Sequence, residues 1–136
     1  MHWNEDGRID IGIVRNEGEA SPLLWQLEWS GDEHSETDLR YGVPGDVPIT
    51  GDWNGDGITD LGVVRSNANG QLVWFLKTDF DPDGLPDGDP VVFGRNGDIP
   101  VVCDWDQDGQ INLGVFRNGL WLFDLDGDPS AEGSFR

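Results

Sequence analysis

The sequence predicts an all-β protein made of about three repeats of a four-stranded antiparallel unit, incomplete at both ends. Three observations predict it. Gly and Pro fill 20 + 8 = 28 of 136 positions, a level that favours turns and short strands over helices. Three segments align without gaps over 13 residues, 2–14, 52–64 and 104–116, and an Arg follows each, at 15, 65 and 117. Trp3 and Trp53 are 50 residues apart and Trp53 and Trp105 are 52 apart. That period suits a whole supersecondary module better than a short solenoid rung.

Within each unit the strand signals recur in one order. Residues 9–15, 58–65 and 111–117 alternate or run apolar, and 23–29, 71–77 and 119–123 follow, each with a Trp (Trp25, Trp74, Trp121). The third signal is Leu39-Arg40-Tyr41-Gly42 and Val91-Val92-Phe93-Gly94. It leads into Gly45-Asp46-Val47-Pro48-Ile49-Thr50 and Gly97-Asp98-Ile99-Pro100-Val101-Val102. Every join carries Gly, Asp or Pro, which supply positive φ, a side-chain acceptor for the local backbone, and a fixed φ. The repeats are then 1–50, 51–102 and 103–136. The first lacks the strand that would precede its motif, and the third stops inside the counterpart of 39–41. Four-stranded units at this spacing are the blades of β-propeller-type folds, which close with about four to eight blades. Three blades need neighbours to cover their faces, from a longer array or from further copies of the chain.

Charge removes whole classes of partner. With 27 acidic and 8 basic residues the net charge is −19, so phosphate backbones and anionic lipid surfaces would repel the chain. Nucleic acid binding and membrane insertion are not expected. Hydrophobic residues still make up 36%, with seven Trp, enough for a core. No run approaches the ~18 apolar residues of a membrane span. Met1-His2-Trp3 runs into polar residues without a signal-peptide core. Cys103 is the only cysteine and is expected to be a small buried apolar residue.

The acids fall into loops. Asp52-x-Asn54-x-Asp56-Gly57-Ile58-x-Asp60 places oxygens at positions 1, 3, 5 and 9, a Gly at 6 and the Ile58 carbonyl at 7. A hard cation such as Ca²⁺ collects its ~6–8 oxygens from such a loop. The aligned third loop offers Asp104, Asp106, Asp108, the Gln110 carbonyl and Asn112. The first offers Asn4, Asp6, the Arg8 carbonyl and Asp10, but His2 stands at position 1, and this site is expected to be weaker. A further loop in the second unit, Asp79, Asp81, Asp83, the Leu85 carbonyl and Asp87, repeats the pattern. Its counterpart from Asp124 to Glu132 is degenerate, with Pro129 where Gly is wanted. An EF-hand needs a Glu at position 12 and a helix after it; position 12 is Ile13, Val63 or Val115, inside a β-like run. The competing reading is that these loops are Asx-turns whose carboxylates cap backbone amides without metal. Three to four Ca²⁺ sites would cancel six to eight charges.

The stretch Asp-Trp-Asn-Gly-Asp-Gly-Ile-Thr-Asp-Leu-Gly-Val-Val-Arg at 52–65, a Trp-bearing strand, and Phe-Gly-x-x-Gly-Asp-x-Pro-Val at 93–101 together resemble the bacterial FG-GAP/VCBS-type repeat. That family is similar to the integrin α-subunit propeller blades. The resemblance covers essentially the whole chain. It implies a β-propeller with Ca²⁺ in the loop leading into a blade strand, in secreted or cell-surface proteins. The small number of blades and His2 at a ligand position depart from the family pattern.

Aligned Trp residues are expected to pack between blades, with Trp29, outside both aligned sets, the one better placed to stack on a sugar. Arg15, Arg65 and Arg117 are expected to pair with carboxylates or carbonyls at the strand ends. His2 and His34 neither recur nor accompany a nucleophile motif such as Gly-x-Ser-x-Gly, so no enzyme is expected. The reading is a calcium-stabilised extracellular structural or adhesive repeat protein. Its open blade edges lead to self-association, as ring or filament, or to membership of a larger propeller. The alternative is a carbohydrate-binding propeller lectin.

Overall fold

The computed structural model describes residues 3, 10–28, 37–78, 88–105, 107, 111–124 and, as backbone, 133–135. Among them there is no helix, and eleven strands form three antiparallel sheets. The first sheet holds β1 (Ile11–Arg15), β2 (Leu24–Glu28) and β3 (Thr37–Arg40). The second holds β4 (Val47–Gly51), β5 (Asp60–Ser66), β6 (Gln71–Lys77) and β7 (Val91–Arg95). The third holds β8 (Ile99–Cys103), β9 (Asn112–Arg117), β10 (Leu120–Asp124) and β11 (Gly133–Phe135). In all three sheets the spatial order is the sequence order.

Each sheet of four begins one strand before the aspartate motif. β4 pairs forward with β5 (Val47 opposite Val64, Gly51 opposite Asp60), and β8 pairs with β9 in the same register (Ile99 opposite Phe116, Cys103 opposite Asn112). The aspartate loop is thus the turn of a hairpin, closed over a short chain length at small entropic cost. Both β4 and β8 are edge strands, which is why Pro48 and Pro100 are tolerated there. The β9–β10 hairpin turns through Asn118 and Gly119, both at positive φ (48° and 81°), as a two-residue turn with the twist of its strands requires.

Side-chain alternation sorts the residues into two cores. Leu61 and Val63 of β5 join Trp3, Leu23, Trp25, Leu27, Leu39 and Tyr41 of the first sheet and its flanks. The opposite face of the second sheet, with Ile49, Val64, Leu72, Trp74 and Phe93, packs on Leu113 and Val115 of β9. The sheets therefore stack face to face in chain order. β5 is buried on both faces, which accounts for its continuous apolar run where one-sided strands alternate.

The two junctions share their details. A Cβ on Gly42 would lie 2.8 Å from Val63 Cγ1 and 3.2 Å from Asp46 Oδ2. On Gly94 it would lie 2.9 Å from Val115 Cγ1 and 3.2 Å from Asp98 Oδ2. Trp25 Nε1 donates to the Tyr41 carbonyl at 2.9 Å, and Trp74 Nε1 to the Phe93 carbonyl at 2.8 Å. Aromatic-Gly is thus the signal that lets the connecting chain lie flat on the next sheet. One expectation is corrected: Cys103 is exposed, because it ends an edge strand with its side chain turned from both cores.

Candidate functional site

The loop from Asp52 to Asp60, between β4 and β5, lies wholly within the described residues. Asp52 is its hub. Its Oδ1 accepts the Gly55 N–H at 2.7 Å and the Asp56 N–H at 3.1 Å, while Oδ2 accepts the Gly57 N–H at 2.8 Å. Asn54 Oδ1 also accepts from Asp56 N–H at 3.1 Å, and Asp56 Oδ1 accepts from Ile58 N–H at 2.8 Å. These are the Asx-turns that short carboxylate side chains make with the backbone just ahead of them.

Position 9 ties the loop to the sheet. Asp60 is 2% exposed, and its Oδ2 accepts the Trp53 N–H at 2.8 Å. The same tie joins Trp3 N–H to Asp10 Oδ2 at 2.7 Å and Trp105 N–H to Asn112 Oδ1 at 3.0 Å. A side-chain oxygen, charged or not, can serve this role, and Asn112 makes the same bond. Burial pushes the Asp60 carboxyl up to about 6; the bond from Trp53 opposes this, and the charges of Asp56 and Asp52 add to it. Asp60 therefore sits in a negative field that a cation would relieve.

The donors of this loop are all oxygens, which suits a hard cation. An oxygen that accepts one N–H keeps a second lone pair, and Asn54 and Asp56 are exposed. Among the described residues no group of three or more His, Cys, Asp or Glu side chains is arranged to hold a metal ion. The carboxylates here face backbone amides. Of the other expected ligands, Asp10, Asp104 and Asn112 are described. Asn4, Asp6, Arg8, Asp106, Asp108, Gln110 and the set Asp79, Asp81, Asp83, Leu85 and Asp87 lie outside the described residues, as do His2, His34 and Trp29.

Two ion pairs mark the other end of the strands. Arg65 Nε and Nη2 meet Asp46 Oδ1 and Oδ2 at 2.7 and 2.9 Å; Arg117 meets Asp98 at 2.7 and 2.7 Å. Each aspartate also caps its own turn, with Val43 N–H on Asp46 and Arg95 N–H on Asp98. Burial alone would raise the Asp98 carboxyl, but the Arg117 hydrogen bond, the Arg95 N–H and both positive charges outweigh it and hold it below the usual range. The Asp46 hydrogen bond raises Arg65, and the Asp98 hydrogen bond raises Arg117. The expected strand-end partners of these arginines are therefore present. What sequence reading missed is their identity, although each Asp lies 19 residues before its Arg. Arg15 differs, with its Nε on Gln26 Oε1 at 2.7 Å.

Sequence reading also missed Lys77, which is fully buried with its ammonium 5.9 Å from the Tyr41 ring centre. Trp3, Trp25 and Trp74 are buried, and Trp105 stacks on Phe123 at 4.2 Å between centroids. Trp3, Trp25 and Trp74 belong to the two cores. No helix among the described residues is long and apolar enough to cross a membrane. Compared with protein-family models, curated proteins and solved structures, the chain matches none.

Proposed function

We propose that the chain is a calcium-stabilised structural or adhesive repeat protein of the FG-GAP/VCBS type, working outside the cell as part of a propeller-type stack of blades. The observation that carries this reading is the junction built twice with the same residues. A module whose two internal interfaces share one chemistry is a module that extends by adding another like it. The outer face of the first sheet supports the same view. Ile11 and Ile13 are 64% and 46% exposed, while their counterparts Leu61, Val63, Leu113 and Val115 are all buried.

Ca²⁺ belongs in the loops that lead into β1, β5 and β9, held by Asp52, Asn54, Asp56, the Ile58 carbonyl and Asp60 in the second. When bound, the ion supplies positive charge that neutralises these carboxylates and fixes the hairpin. Asp52 and Asp60 shape the loop through their backbone amide bonds, and Asn54 and Asp56 would add oxygen ligands of the kind a hard cation takes. Stacking of a second copy or of a further blade on the exposed outer face of the first sheet gives a ring or, if contacts do not close, a filament.

The test is the native mass of the chain with and without Ca²⁺, beside an Ile13→Glu variant. Association that Ca²⁺ strengthens and Ile13→Glu removes is the expected result. A monomer of native β-structure under every condition defeats the association, and a melting temperature indifferent to EDTA and Ca²⁺ defeats the metal.

A further inference from the structure

The first sheet carries an acceptor that the other two sheets show already filled. On β5 the acceptor consists of Val63, over which Gly42 lies with no room for a Cβ, and Arg65, clamped on Asp46. Along its edge β4 pairs with Pro48 opposite Val63 and Ile49 opposite Gly62. On β9 the same parts are Val115 under Gly94, Arg117 on Asp98, Pro100 opposite Val115 and Val101 opposite Gly114. Both fillers are one continuous segment: aromatic-Gly-x-x-Gly-Asp-x-Pro, then Ile or Val.

β1 presents the same edge unpaired, with the Trp3 ring over Gly12, where a Cβ would lie 3.0 Å from Trp3 Cζ2 and where Ile49 and Val101 lie at Gly62 and Gly114. Ile13 stands at the place of Val63 and Val115 and is 46% exposed. Gly12 stands at the place of Gly62 and Gly114, and Arg15 at the place of Arg65 and Arg117. Arg15 is exposed and its Nε rests on a neutral amide, Gln26 Oε1. β1 is the edge of its sheet, and no described strand lies along its outer side.

We infer that the outer side of β1 is a strand-acceptor site for an extended segment of the form aromatic-Gly-x-x-Gly-Asp-x-Pro-(Ile/Val). The segment adds antiparallel to β1 with its Pro opposite Ile13 and its Ile or Val opposite Gly12. Its Gly lies over the Ile13 side chain, and its Asp takes Arg15 in a bidentate pair. Main-chain bonds supply affinity, as in strand addition generally, and the Gly and Asp supply selection, because a Cβ or a lost charge spoils the fit. Both such segments in residues 1–136 are already built in as β4 and β8 with their approaches, so the occupant is a third segment of the same chemistry. This deepens the proposed function, on which it rests, by stating what completes the first blade.

The experiment titrates a fluorescently labelled synthetic peptide copying residues 39–51 into the intact protein and follows its anisotropy. Saturable binding is expected, weakened about tenfold or more when the peptide carries Asp46→Asn. In an Arg15→Gln protein of unchanged melting temperature, the two peptides should bind alike, because the charge they compete for is gone. Absence of binding by the parent peptide, or binding indifferent to both Asp46→Asn and Arg15→Gln, overturns the inference. If that happens while Ile13-dependent association persists in the native mass, the acceptor alone is wrong; if association is absent as well, the proposed function falls with it.

Discussion

At Asp98 the side chain is 2% exposed and holds three donors, two from Arg117 and one from the Arg95 backbone. Replacement by Asn keeps the shape but removes the charge and one acceptor. Asp98→Asn should cost about 1–3 kcal/mol in urea unfolding. The pH dependence follows from the direction of its shift. The folded carboxyl is held below its unfolded value of ~3.9, so in acid the unfolded state binds the proton more readily. The contribution is complete above that value and is lost as pH falls through the folded one. Asp98→Asn should therefore flatten the acid limb of the stability curve and leave its shape above pH 5 unchanged. Gly42 and Gly94 offer a second check, since both have positive φ (87° and 92°) and press on a valine of the next sheet. Gly42→Ala or Gly94→Ala should each lower stability by roughly 2–4 kcal/mol, from αL strain and overpacking together.

In the hairpin of β4 and β5, Asp52 and Asp56 of the loop have separable jobs. Asp52 accepts three backbone N–H groups, whereas Asp56 accepts one. Asp52→Ala should destabilise the metal-free protein by about 1–2 kcal/mol, because orphaned amides in a half-exposed turn are only partly rescued by water. Asp56→Ala should leave the metal-free melting temperature nearly unchanged and remove the rise on adding Ca²⁺. In the parent protein that rise corresponds to about 2.7 kcal/mol at a hundredfold excess over Kd. Paired thermal melts in EDTA and in Ca²⁺ decide it, and equal Ca²⁺ responses in parent and Asp56→Ala would remove Asp56 from the ligand set. The strands around this loop were legible in the sequence, because a period that recurs three times and turns punctuated by Gly, Pro and Asp leave little freedom of placement. β5 and β9 showed as apolar runs, and the Trp strands announced β2, β6 and β10. Less legible was anything set by a neighbouring sheet. Lys77 ends an apolar strand, and nothing in its own segment announces its burial beside Tyr41, which follows β3. Cys103 reads as apolar filler until its strand proves to be an edge. At Asp52 and Asp60 the residue types fit both a cation and the backbone amides, and only coordinates distinguish which groups they face.

Across the whole molecule, 27 acidic residues face 8 basic ones, and the described pairs consume few of them. Arg65 and Arg117 serve Asp46 and Asp98, and Arg40 serves Glu17 on the surface. The rest repel one another in the compact state more than in the expanded one, so self-repulsion opposes folding. Added salt shortens the reach of this repulsion to ~10 Å at 0.1 M and should raise the melting temperature of the metal-free chain between low and moderate NaCl. Sites filled by Ca²⁺ remove charge at its densest points, where the carboxylates of one loop already act on Asp60. The same NaCl series in saturating Ca²⁺ should therefore show a clearly smaller rise, starting from a higher melting temperature. A non-coordinating salt series of equal ionic strength separates screening from weak ion binding. If the salt response is the same with and without Ca²⁺, the divalent ion is not neutralising the loops, and the charge of −19 must be carried by the fold without it.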